Sequence, residues 1–119
     1  MGLVDTTTSE LLEAPSAYCP VFQETMELVG RRWSGAIIRS LLAGRVRFSD
    51  ILADIPGLSD RLLSERLREL EAKTIVSRSV YAETPVRIEY ELTAQGRELN
   101  DVVRAVDAWG ARWSGDKRC

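Results

Sequence analysis

Two amphipathic helical stretches flank a Pro56-Gly57 turn, and two β-rich stretches then surround a second turn. That arrangement predicts a winged helix-turn-helix. With a further helical pattern at each end, the chain is expected to be mostly α with a small β-hairpin, in the order α-α-β-α-α-β-β-α. Its 119 residues suit one domain whose core needs neither disulfide nor metal.

Residues 1–17 are small and polar without a sustained period, which predicts a flexible N-terminal arm ahead of a winged domain over 18–119. Pro20 suits a first helical position, Phe22, Met26 and Val29 follow at helical spacing, and Gly30 ends the helix. A second helix is expected from about Arg32 to Leu42, with Trp33, Ile37 and Leu41 on its stripe and Gly44 as its stop. Val46–Phe48 reads as a brief strand, and Ser49 as the N-cap of a helix over Asp50–Ile55. Ser59 caps the next helix, which runs to about Lys73. Ile75–Tyr81 is rich in β-branched residues, Ala82–Pro85 makes a turn, and Val86, Ile88, Tyr90 and Leu92 alternate with charged residues. This pair is a hairpin. Thr93 caps a last helix with Leu99, Val102, Val103, Val106, Trp109 and Trp113 on one stripe.

Composition narrows the function. No histidine is present, which removes the commonest general base and metal ligand. Cys19 and Cys119 cannot build a zinc site alone, and no glycine-rich phosphate loop appears. An enzyme is not expected, nor a cofactor or metal. No apolar run approaches the ~18 residues of a membrane span, and the acidic N-terminus does not resemble a signal peptide. The chain reads as cytoplasmic.

The net charge of −2 conceals an uneven distribution. Residues 1–30 hold five acids and no base, so residues 31–119 carry 13 acids against all 16 bases. Arg31 to Phe48 contains five arginines and no acid. A phosphate backbone feels local charge within a Debye length, so an acidic total does not exclude DNA.

The helix after Pro56-Gly57 carries the sharpest signal. At ~100° per residue, Leu63, Leu67 and Leu70 share one side while Arg61, Ser64, Glu65 and Arg68 share the other. Residues early in the second helix of a helix-turn-helix reach base edges, and arginine can bind guanine through O6 and N7. Ser59 and Ser64 can serve phosphate or base. Arg45, Arg47, Ser49 and Arg87 are expected to flank this helix where phosphates would lie. The competing reading is a solvated face, because the helix balances Arg61, Arg66, Arg68 and Lys73 with Asp60, Glu65, Glu69 and Glu71.

Four motifs in order resemble the HxlR-type winged helix-turn-helix transcription regulators of bacteria, a MarR-like group. They are Cys19-Pro20-Val21 with Gly30-Arg31-Arg32-Trp33; Arg47-Phe48-Ser49-Asp50-Ile51; Pro56-Gly57-Leu58-Ser59 running into Leu63-Ser64-Glu65-Arg66-Leu67-Arg68-Glu69-Leu70; and Pro85-Val86-Arg87-Ile88-Glu89-Tyr90-Glu91-Leu92-Thr93. The resemblance implies a homodimer on double-stranded operator DNA, most simply a repressor. It implies one recognition helix per subunit in the major groove and half-sites about one helical turn apart. It also implies that the first and last helices build the interface, with Phe22, Val106, Trp109 and Trp113 as candidates. From the pattern alone, the last stripe serves either the monomer core or a partner.

Some members of that family sense electrophiles or oxidants through a cysteine placed like Cys19. A helix N-terminus there favours the thiolate, and an inert buried thiol is the alternative. The sequence departs from the family at Arg31, where a second glycine is usual, and at Lys73-Thr74, which replaces a glycine-containing turn. Two other functions compete with a regulator that responds to an electrophile or small ligand. One is a winged-helix protein-interaction module. The other is a small-molecule carrier with Phe22, Trp33 and Trp109 lining a pocket at the dimer interface.

Overall fold

The computed structural model describes residues 17–115; most of the N-terminal arm, and Cys119, lie outside them. Helices α1 (Pro20–Val29), α2 (Ser34–Leu42), α3 (Phe48–Asp54) and α4 (Asp60–Ala72) precede strands β1 (Val76–Tyr81) and β2 (Arg87–Leu92). A short α5 (Ala94–Arg97) and a long α6 (Leu99–Ser114) close the chain. The two strands pair antiparallel from Val76 opposite Leu92 to Tyr81 opposite Arg87. Mostly helical, with one hairpin after a helix–turn–helix, this is the expected winged fold. No helix among the described residues is long and apolar enough to cross a membrane.

The core lies where α2, α3, α4 and the base of the hairpin meet. Ile37, Ile51, Leu63, Leu67, Leu70, Val76 and Leu92 are buried there. The leucine stripe of α4 thus supplies three of its central residues, which fixes the helix's rotation and turns Arg61 and Arg68 outward. Removing this much apolar surface from water provides the main drive for folding.

Three boundaries differ from expectation, two of them through contacts with distant parts of the chain. The second helix begins at Ser34, not near Arg32, because Trp33 takes a left-handed backbone (φ 78°) and breaks the run. The expected strand at Val46–Phe48 is a single bridge, Arg47 to Glu89, with the Tyr90 N–H donating to the Val46 carbonyl at 2.8 Å. That pairing holds Arg47 extended, so Arg47 is the N-cap of α3, without a side-chain bond, and Ser49 is inside the helix instead of capping it. The last helix is divided at Glu98 into α5 and α6.

Other local expectations hold. The Ser59 hydroxyl accepts from the Leu62 N–H at 3.1 Å, and the Thr93 hydroxyl accepts from the Gly96 N–H at 3.1 Å. After α4, the left-handed position that glycine usually fills is held by Thr74 (φ 60°). Its hydroxyl donates to Gln95 Oε1 at 2.8 Å, while the Thr93 hydroxyl donates to the Thr74 carbonyl at 2.6 Å. Those bonds offset the strain of a side chain in that region, which is on the order of 1–2 kcal/mol, and tie the end of α4 to the start of α5. Replacing glycine therefore leaves the fold unchanged.

Candidate nucleic-acid interface

The outer face of α4 is built as its projection predicts. The Arg61 side chain is 90% exposed, and its Nε lies 3.5 Å from Glu65 Oε2. Arg68 is exposed and donates from Nη2 to Ser64 Oγ at 3.3 Å. Glu65 therefore orients an arginine instead of standing alone on the face. Ser59, at the start of the helix, is exposed, and its hydroxyl already serves the cap.

Arg66 behaves differently. Its side chain is only 9% exposed, and its Nε donates to the Arg32 carbonyl at 2.9 Å. Glu69 lies 3.5 Å from Arg66 Nη1 and 3.2 Å from Arg31 Nε. Thus Arg31, at the position where the resembling family has a second glycine, joins the loop after α1 to α4. The Trp33 ring lies against the helix-turn-helix turn: a Cβ on Gly57, whose φ is +87°, would meet Trp33 Cη2 at 3.3 Å. The positive φ favours glycine there, and a side chain would in addition press on the Trp33 ring.

The flanks are supplied by the α3 start and the hairpin. Arg47 and Ser49 are exposed, and with Phe48 they border an open concavity whose other wall is the hairpin tip, from Glu83 to Ile88. Arg87 is in that wall but is not a free cation. It donates from Nη2 to Glu83 at 2.9 Å, pairs with Glu89 through Nη1, and stacks over the Tyr81 ring at 4.1 Å. Hydrogen bonds from Arg87 hold the Glu83 carboxyl below its ordinary range, and the same Glu83 bond raises Arg87 further. A phosphate reaching Arg87 must compete with these two acids. The period of two puts Glu89 on the same strand face as Arg87, but it gave no warning of Glu83, which lies in the turn four residues before Arg87.

Sequence reasoning missed Arg78. It is exposed on β1 opposite Tyr90 and borders a polar cleft with Ser64, Leu67, Arg68 and Glu71 of α4. The available signal was the period of two: Val76, Arg78 and Val80 share a strand face, and Val76 is buried against the core.

Away from this face, α1 and α6 contain no buried residue. Phe22 (64%), Val106 (64%), Trp109 (62%) and Trp113 (68%) are largely exposed, so the last stripe does not serve mainly to close the monomer core. An Arg39–Asp107 ion pair ties α2 to α6. The apolar groove between α1, α2 and α6 has a volume of about 360 Å³ and is walled chiefly by Met26, Val29, Ile38, Val102, Val103 and Val106. Phe22, Trp33 and Trp109, expected to line a pocket between two subunits, are not among the walls of this groove within one chain. Cys19 is the N-cap of α1, half-buried, and its Sγ accepts from the Phe22 N–H at 3.5 Å.

Residues 28–118 match the family model described as HxlR-like helix-turn-helix. YvaP of Bacillus subtilis (strain 168), an uncharacterised HTH-type transcriptional regulator, is 45% identical over 98 residues, covering 82% of this chain and 91% of YvaP. The HTH-type transcriptional regulator YodB of the same organism is 42% identical over 103 residues, covering 85% of this chain and 92% of YodB. The reduced form of YodB superposes with a TM-score of 0.72 at 42% identity, covering 81% of this chain and 94% of that structure. YodB is also known after diamide treatment and with a quinone bound. The redox regulator HypR in its oxidised form gives a TM-score of 0.72 at 35% identity, covering 85% of this chain and all of the HypR chain. These relatives are transcriptional regulators, not enzymes. The winged architecture, the outward arginines of α4 and the family match together make this chain a helix-turn-helix transcriptional regulator that belongs to the HxlR-like helix-turn-helix family.

Proposed function

We propose that the chain is a homodimeric, sequence-specific repressor that acts on operator DNA in the cytoplasm and is released by thiol-reactive electrophiles at Cys19. The observation that carries the DNA reading is the division of α4, with Leu63, Leu67 and Leu70 buried and Arg61 and Arg68 exposed opposite them. In this reading Arg61 and Arg68 reach base edges, Ser59 and Ser64 support them, and Arg47, Ser49 and Arg87 meet phosphates. Because Glu83 and Glu89 hold Arg87 in contact ion pairs, whereas Arg47 makes none among the described residues and feels Glu83 only at longer range, the two should differ. Arg47→Ala is expected to weaken binding to all DNA sequences and reduce the salt slope by about one. Arg87→Ala should have a smaller effect on that slope. An equal or larger effect at Arg87 in a salt titration would argue against this ordering.

Support for the dimer comes from the exposed apolar residues of α1 and α6. Phe22, Val106, Trp109 and Trp113 supply aromatic and branched surface of the kind enriched at interface cores. Residues 18–119 would then form one winged domain with dimerising helices at both ends. Sedimentation of the full chain at micromolar concentration tests this: a monomer throughout would refute it.

The case for sensing rests on placement and on the relatives. Cys19 caps α1, a helix assigned here to the interface, and its thiol accepts a backbone N–H. YodB treated with diamide or bound to a quinone, and HypR in an oxidised form, indicate what such regulators meet. Cys19→Ser is expected to retain operator binding and to lose its sensitivity to diamide or quinone. Sensitivity equal to wild type in a mobility-shift assay would remove Cys19 as the sensor. The protein-interaction reading stays separable, because it requires no affinity for DNA beyond non-specific attraction.

A further inference from the structure

The hairpin brings an arginine to the recognition helix that belongs to none of the pairs around it. Arg61, Arg66 and Arg87 each have a carboxylate partner, whereas Arg78 has none among the described residues. Arg78 shares the strand face of buried Val76, which packs against the core beside α4, so its face turns toward that helix. Between helix and hairpin lies an open cleft of about 290 Å³. Ser64, Leu67, Arg68 and Glu71 form one wall, and Arg78 and Tyr90 the other.

Charge and shape agree on what such a cleft receives. Two guanidiniums face one carboxylate, leaving a net charge of +1. Arginine presents a planar fork of donors that suits a phosphate better than a point charge would. The Ser64 hydroxyl, now accepting from Arg68, still has a proton to donate. Glu71 weakens the cleft as a trap for free anions, so occupancy depends on other contacts delivering the anion. If α4 lies in a major groove, the strand bordering that groove runs between helix and wing.

We propose that this cleft seats one backbone phosphate of bound DNA, gripped by Arg78 from the wing and by the Ser64 hydroxyl from α4, while Arg68 beside it reaches on to a base edge. Arg78 is then a binding residue, and Glu71 an opposing charge that limits affinity. The proposal rests on the reading that α4 docks on DNA and adds to it the place where one DNA strand crosses the protein. Such a contact positions the helix without reading sequence.

The test uses the full chain and a duplex enriched from a random DNA pool, with affinity measured over a range of salt. Arg78→Ala is expected to weaken binding about tenfold on enriched and unrelated duplexes alike, with the salt slope smaller by about one. Arg78→Lys should recover part of the loss, and Glu71→Gln should bind more tightly than wild type. Replacing phosphates one at a time with neutral methylphosphonates supplies the position. One phosphate per half-site should matter to wild type and be indifferent to Arg78→Ala. Wild-type affinity and slope in Arg78→Ala, weaker binding by Glu71→Gln, or no phosphate whose effect vanishes would each overturn the seat while leaving α4 as the reader. Failure of wild type to bind any duplex would overturn the reading of α4 and the seat together.

Discussion

Replacing both Arg61 and Arg68 with alanine is expected to abolish discrimination between the cognate duplex and unrelated DNA while leaving the protein folded. Both side chains are exposed and their partners, Glu65 and Ser64, are local, so little stability depends on them. A bidentate arginine–guanine contact contributes about 1–3 kcal/mol of discrimination. Losing two per subunit, in a dimer, removes most of the specificity ratio that a regulator needs. Non-specific affinity should fall much less, because Arg47 and Arg78 remain. The comparison is a mobility-shift or fluorescence-anisotropy titration against both duplexes, with a thermal melt to establish folding. A double variant that still prefers its cognate duplex by the wild-type ratio would return α4 to the status of a solvated face.

The second large effect concerns the join between the hairpin and the last helices. Gly96 lies in α5 under the backbone of Ile75, where an added Cβ would stand 2.2 Å from the Ile75 carbonyl oxygen and 3.0 Å from Leu92 Cδ2. The first of these is backbone that is itself held: the Thr93 N–H donates to the Ile75 carbonyl at 3.0 Å. Relief would have to come from moving α5 away, which breaks the Thr93 cap and shifts α6, the helix assigned to the dimer. Overpacking ordinarily costs about 1–3 kcal/mol, and a clash with fixed backbone lies at or above the upper end. Gly96→Ala is therefore expected to lower the melting temperature by roughly 10 °C or more, since ~1 kcal/mol is worth about 4–8 °C in a domain of this size. A melt within about 2 °C of wild type would show that α5 yields freely. By contrast, alanine at Gly35 meets nothing within 4 Å and serves as the control.

Much of this molecule was legible in its sequence because its signals are local. The Ser59 and Thr93 caps, the leucine period of α4 and the Pro56-Gly57 turn each depend on neighbours a few residues apart. What was not legible depends on distant ones. Ser49 has the right chemistry for an N-cap, yet β2 pairs with Val46 and Arg47 and starts the helix earlier. Trp33 suits a helical stripe, yet it takes a left-handed conformation at the head of α2 and lies against Gly57. The charges are the most instructive case. The helical projection already sets Arg66 near the core edge, where pairing with an acid is expected and found, whereas Arg78 and Arg87 look alike in the sequence but receive from the fold an open cleft and two acids respectively. The last stripe divides: Leu99 and Val103 pack against the monomer core while Val106, Trp109 and Trp113 are exposed, a split that periodicity alone does not decide.

The account stands or falls on whether two copies of α4 read DNA together. Selection of bound duplexes from a random pool by the full chain, with and without reductant, measures this directly. The account predicts enrichment of an inverted repeat whose half-sites lie about one helical turn apart, and no enrichment when Arg61 and Arg68 are both alanine. A pool that emerges without a shared motif, or the same motif recovered by the double variant, would contradict it.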